Sequence, residues 1–141
     1  MPDFLIKDAN SSTTFRFEGD IPAGLTGYDG CTFSASVSSH VLSAATTIYD
    51  IRPDHWAAFF NDLAVHWRGW QGVKDHESLE GHLRIEAEAA DSLGHIRLRM
   101  CLRGVDVPNL WMAEISLVVE AGQLDNLARQ AESFFGTASP A

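Results

Sequence analysis

The sequence is poor in cysteine and in basic residues, has no long apolar run, and each shortage excludes a class of protein. Two cysteines, Cys31 and Cys101, are too few for a disulfide framework, and neither belongs to a CxxC pair. We therefore expect reduced thiols and a cytoplasmic protein. No apolar run approaches the ~18 residues of a membrane span. The first residues lack a basic stretch before an apolar core, so we expect no secretion signal.

Basic residues are outnumbered by acidic ones. Ten Lys and Arg against nineteen Asp and Glu give a formal net charge of −9. This balance argues against nucleic-acid binding, which needs a basic footprint. It suits a basic protein partner, although a negative charge also serves solubility alone. The 141 residues, 45% of them hydrophobic, predict one domain over residues 1–141 with its own core.

Aromatic residues, by contrast, are concentrated in residues 52–72. Pro53 suits the first turn of a helix, and at about 100° per residue one stripe collects the large apolar side chains. These are Trp56, Phe59, Phe60, Leu63 and Trp67. We predict a core helix that buries Trp56 and Trp67 and ends near Gly69.

Strand patterns occupy most of the remaining chain. Apolar and polar residues alternate, or β-prone residues collect, over residues 4–7, 13–18, 31–38, 41–49, 82–89, 95–103 and 111–120. An amphipathic helix is predicted over residues 123–135. The order strands, helix, strands, helix predicts an α+β domain, with a mostly antiparallel sheet covered on one face by two helices.

Two neighbouring strands predict their own register. A four-residue loop that ends in Gly94 favours a hairpin. Glu88 then lies opposite Arg97, and Glu86 lies opposite Arg99. Apolar pairs on the other face agree with the same register, which supports it.

Several motifs carry a resemblance to a known family. They are W-R-G-W-Q-G at 67–72, S-L-x-G-x-L-R-I at 78–85, G-H-I-R-L-R-M-x-L at 94–102 and W-M-A-E-I-S-L-V-V-E-A-G-Q-L at 111–124. Over roughly residues 50–135 the chain resembles the bacterial domain-of-unknown-function family 6228. The resemblance implies a fold and no particular chemistry. In size and element order the family is similar to small immunity proteins that neutralise bacterial toxins.

Candidate catalytic groups are few. Asp62 and His66 are four residues apart on the predicted helix and can hydrogen-bond. A polar cluster in the predicted loop 73–81 and just beyond it could hold a divalent cation, although its spacing matches no known site: Asp75, His76, Glu77 and His82. GxSxG, P-loop and GxGxxG motifs are absent. We predict no catalytic residue, no metal and no cofactor.

Candidate partner-binding residues are more numerous. Trp70 and Trp111 lie at the edges of predicted elements, where a tryptophan often serves as an anchor. Fixed charges on the outer sheet face, and acidic residues after the tryptophans, suit a docking surface. The predicted contact residues are Trp70, Trp111, Asp75, Glu77, Arg97 and Arg99.

These observations predict a non-enzymatic, cytoplasmic bacterial protein of the immunity or inhibitor type, which binds a basic toxin domain. One alternative is a metal-dependent hydrolase that uses Asp62, His66 and the polar cluster. Another is a small-molecule-binding domain with the glycine-rich loop 19–30 as a lid. The sequence leaves the oligomeric state open.

Overall fold

A computed structural model describes residues 3–22, 30–104 and 110–136. The elements within these ranges are β1 (Phe4–Lys7), β2 (Thr14–Glu18), β3 (Cys31–Ser38), β4 (Ser43–Asp50), α1 (Asp54–Val65), β5 (Lys74–Glu77), β6 (Leu83–Ala89), β7 (His95–Gly104), β8 (Trp111–Glu120) and α2 (Leu124–Phe135). A one-turn 3-10 helix, Ala121–Gln123, leads into α2. The predicted α+β class is confirmed.

The strands form two antiparallel sheets instead of one. The first sheet has the order β1-β2-β3-β4, and the second has the order β5-β6-β7-β8. A link between the sheets lies at Val118 of β8. Its N–H donates to the Asp8 carboxylate at 2.8 Å, and its carbonyl accepts from the Ala9 N–H at 2.8 Å. Local patterns predicted these strands except β5, but contacts between distant residues decide how the sheets associate.

Aromatic rings fill the space between the first sheet and the helices. Phe17 is fully buried, and its ring centroid lies 5.2 Å from those of Phe4 and Phe135. The Trp56 ring centroid is 6.4 Å away. Apolar residues of the second sheet, including Leu98, join the same cluster. Both sheets and both helices therefore contribute to one continuous core.

The predicted register of the β6–β7 hairpin is confirmed. Glu88 pairs with Arg97, and Glu86 pairs with Arg99. Gly94 has a φ of 89°, a left-handed conformation that glycine adopts without steric cost. Both the glycine in the turn and the charge pairs between the strands therefore favour this hairpin.

The burial predicted for Trp67 is wrong. Helix α1 ends at Val65, and Trp67 is 51% exposed in the turn that follows. The Asp62 carbonyl oxygen accepts from the His66 backbone N–H at 3.1 Å, and His66 Nδ1 lies 2.9 Å from the same oxygen. The backbone of His66 leaves the helical conformation, with φ −101° and ψ 34°, so the chain turns away before Trp67 can follow the buried stripe.

The loop predicted over residues 73–81 contains strand β5. Its four residues are polar, so the sequence shows no alternation of apolar and polar residues that would predict a strand. The strand forms by pairing with β6. Asp75 pairs with Glu86, and Glu77 pairs with Arg84. Most of the predicted lid, residues 23–29, lies outside the described residues.

We predict that Phe17→Ala lowers the free energy of unfolding by about 3–5 kcal/mol, because it leaves a cavity at the centre of the aromatic cluster. Leu93→Ala is the control. That side chain is 80% exposed, and its loss should change stability by no more than about 0.5 kcal/mol. Equilibrium urea denaturation measures both values. A loss below about 2 kcal/mol for Phe17→Ala would contradict the central role of this ring.

Candidate functional site

The outer face of the second sheet carries a lattice of charged side chains, which we call the charged face. Alternation along β5 to β8 places these residues outward while their neighbours face the core. The charged face consists of Asp75, Glu77, Arg84, Glu86, Glu88, Arg97, Arg99, Arg103 and Glu114. It includes four of the predicted contact residues: Asp75, Glu77, Arg97 and Arg99.

Ion pairs between strands hold this lattice in place. The shortest are Arg97–Glu88 at 2.9 Å, Arg84–Asp75 at 2.9 Å and Arg99–Glu114 at 3.2 Å. Their side chains stay partly exposed, from 35% for Glu88 to 48% for Glu114. Such exposed pairs contribute under about 1 kcal/mol each to folding. Their main effect is to fix the positions of the charges.

The charged face itself is almost neutral. Five carboxylates stand against four guanidinium groups, whereas the whole chain carries −9. Most of the acidic surplus therefore lies elsewhere on the chain. Three acidic residues nevertheless lie on or just after β5, the edge strand of the second sheet. We call Asp75, Glu77 and Glu80 the acidic margin. Within the described ranges Arg84 forms an ion pair with Asp75, and neither Glu77 nor Glu80 forms one.

The two predicted tryptophan anchors lie apart from the charged face. Trp70 is half-buried against the core, and its indole Nε1 donates to the Ala87 carbonyl at 3.2 Å. Trp111 is 38% exposed and covers Gly104, where a Cβ atom would overlap the indole. Trp111 shares its side of β8 with inward-facing residues such as Leu117. The structure therefore joins the four charged candidates and separates the two tryptophans from them.

An apolar residue that the sequence analysis missed borders the charged face. Val73 is 51% exposed and lines a depression together with Glu86, Glu88, Arg97 and Arg99. The depression has a volume of about 10 Å³, enough for about one water molecule. Recognising β5 in the sequence would have extended the outward pattern to Val73. The charged face thus suits contact with a broad surface better than enclosure of a small molecule.

The side chains of the candidate metal cluster point in different directions. Asp75 and Glu77 point outward, whereas His76 packs edge-on against Trp56, with ring centroids 4.3 Å apart and planes at 89°. Residues 3–22, 30–104 and 110–136 contain no group of three metal-binding side chains close enough to hold an ion.

The predicted Asp62–His66 pair forms, but a lysine shares it. His66 Nδ1 lies 3.2 Å from one Asp62 carboxylate oxygen, and Lys74 Nζ lies 2.8 Å from the other. All three side chains are partly exposed. This arrangement ties the end of α1 to the start of β5.

A buried carboxylate joins α1 to the first sheet. Asp50 accepts from the Trp56 indole N–H at 3.1 Å and from the Ile51 backbone N–H at 2.9 Å. Cys31 pairs with Asp50 across β3 and β4. Burial, together with the Asp50 carboxylate, raises the pKa of the Cys31 thiol to about 11. At neutral pH this thiol is therefore protonated and a poor nucleophile.

These features define a small α+β protein with an exposed sheet face of fixed charges. Residues 6–138 match the model of the Family of unknown function (DUF6228), and the chain belongs to that family. The match includes the first strands, which the motif resemblance over residues 50–135 did not reach. No curated protein matches the chain. Neither described helix is long and apolar enough to cross a membrane.

We predict that stability falls as the pH drops below about 6.5, because His76 is held neutral in the folded state. Burial lowers the pKa of His76 and the neighbouring His55 adds to this, whereas Asp50 and Asp75 act in the opposite direction. The unfolded chain therefore takes up this proton first. His76→Leu should flatten the decrease in unfolding free energy between about pH 7.5 and 5.5, measured by urea denaturation.

The control for this experiment is His40→Gln, which changes an exposed histidine. It should keep the pH dependence of the wild-type protein. An equal slope in His76→Leu and wild type would show that another group is responsible.

Proposed function

We propose that this protein is a non-enzymatic module of the immunity or inhibitor type, which binds another protein through the charged face and the acidic margin. The observation that carries the proposal is an uncovered sheet face with fixed charges of both signs. The ion-paired side chains there are 28% to 48% exposed, so no element in the described ranges shields them from solvent.

Fixed charges support a binding role because they contribute more to the free energy of binding a partner than to the free energy of folding. Each exposed pair adds little to stability. Arg99 illustrates the preorganisation, since it contacts Glu114 at 3.2 Å and Glu86 at 4.0 Å at once. A side chain already held in position loses less entropy when a partner docks. Charges of both signs in a set pattern also favour one partner and one orientation over others.

The acidic margin supports a basic partner, such as the toxin domain of an immunity pair. The net charge of −9 accelerates encounter with a basic surface over distances comparable to the Debye length. Glu77 and Glu80 are exposed and have no ion-pair partner in the described ranges, so they remain available to a partner cation. The proposal places the protein in the bacterial cytoplasm, where an immunity protein protects its own cell.

We predict that charge reversal of the acidic margin slows association with any toxin domain that is encoded beside the gene and binds the protein. The variant changes all three residues together: Asp75→Lys, Glu77→Lys and Glu80→Lys. Stopped-flow fluorescence at low ionic strength should show an association rate at least about tenfold lower than that of the wild-type protein.

A matched control carries the same charge change elsewhere: Glu18→Lys, Asp20→Lys and Asp125→Lys. It makes the negative net charge smaller by the same amount but leaves the acidic margin intact, so its association rate should fall clearly less. Unfolding measurements on both variants confirm that each is folded. Equal rates in the two variants would remove the acidic margin from the interface. No binding by the wild-type protein would refute the immunity function.

A further inference from the structure

A groove of about 330 Å³ lies where β1 and β8 separate. The two strands touch at Val118, through its hydrogen bonds to Asp8 and Ala9. Beyond that point Leu5 and Lys7 line one side of the groove and Val119 lines another. The volume falls in the range of ligand-binding clefts.

The backbone of β1 presents free hydrogen-bonding groups to this groove. The Asp8 N–H donates to Thr13, toward β2, at 3.0 Å, whereas the Ala9 N–H points the other way, to Val118. Because successive residues of a strand direct these groups to opposite sides, Leu5 and Lys7 direct theirs away from β2, as Ala9 does. Within the described ranges no hydrogen bond satisfies them.

Helix α2 and the 3-10 helix that leads into it supply amide side chains on the facing wall. Gln123, Asn126 and Gln130 line the groove at i, i+3 and i+7, which places them along one side of the helix. The Gln123 Oε1 is occupied by the Glu120 N–H at 2.8 Å. The side chains of Asn126 and Gln130 form no hydrogen bond within the described ranges. Each carries both a donor and an acceptor, as a peptide group does.

Lys7 gives the groove a positive charge. Its side chain is exposed, and no carboxylate of the described residues lies within 4.0 Å of it. Charge complementarity therefore favours a ligand with an acidic group beside Lys7.

We propose that this groove binds an extended peptide segment of a partner protein, which adds to β1 as a new strand and places an acidic side chain near Lys7. The free groups of Leu5 and Lys7 are two residues apart, or ~6.8 Å along a strand, which is the repeat of an extended peptide. The site is separate from the charged face and does not depend on the proposed function.

The test uses end-blocked hexapeptides of alternating valine and threonine, with one aspartate at each position in turn, and a parallel set with lysine instead. Titrated to ~1 mM into ¹⁵N-labelled protein, the best aspartate peptide should shift and protect the Leu5 and Lys7 amides. Leu5→Pro should weaken binding at least tenfold, since it removes an outward N–H and no ladder bond to β2. The melting temperature of the variant checks its fold.

Charge reversal gives a second, independent arm. Lys7→Glu should invert the preference, so that lysine peptides bind better than aspartate peptides. Arg129→Glu makes the same change of charge on α2 outside the groove lining and should keep the wild-type preference. The proposal is overturned if no peptide binds, or if neither variant alters binding at these amides. The short strand and Lys7 would then only protect a sheet edge from aggregation.

Discussion

The fold depends on the surroundings of one indole ring. The Trp56 N–H donates to the buried Asp50 carboxylate of β4, and its ring contacts Phe17 of the first sheet. His76 of the second sheet packs edge-on against the same ring, and Phe135 of α2 stacks on it at 6.3 Å. Both sheets and both helices therefore meet at a single side chain. The hydrogen bond to Asp50 gives the buried indole N–H of Trp56 its partner.

Local patterns predicted most elements because alternation and charge pairing act between near neighbours. The β6–β7 register is the clearest case, since its charged pairs and apolar pairs agree. Strand β5 was missed because all of its residues are polar, including Lys74 and His76, which lie on its less exposed side. The end of α1 was missed because the apolar periodicity continues to Trp67, whereas the backbone leaves the helical conformation at His66. The association of the two sheets includes an Asp8–Val118 contact that spans 110 residues, which no short window contains.

The candidate site could be predicted from the sequence only where the alternation of apolar and polar residues predicted a strand. Alternation alone placed Arg97 and Arg99 on one face, and β5 brought Asp75 and Glu77 beside them. The distance between the tryptophans and this face could not be read from the sequence, because sequence position does not reveal which backbone an indole covers. The groove beside β1 could not be predicted from the sequence either. The backbone N–H groups that remain free on a strand are those that point away from its paired neighbour, and the sequence does not show which neighbour that is.

The environment of Cys31 controls how fast this thiol reacts with alkylating reagents. A buried thiol with a pKa of about 11 is almost entirely protonated in the folded state, and solvent reagents do not reach it. Alkylation at Cys31 therefore requires the first sheet to open, whereas Cys101, partly exposed, can react from the native surface. The alkylation rate of Cys31 therefore reports local opening of the first sheet. The alkylation rate of Cys101 measures the reactivity of the same reagent toward a thiol of the folded protein.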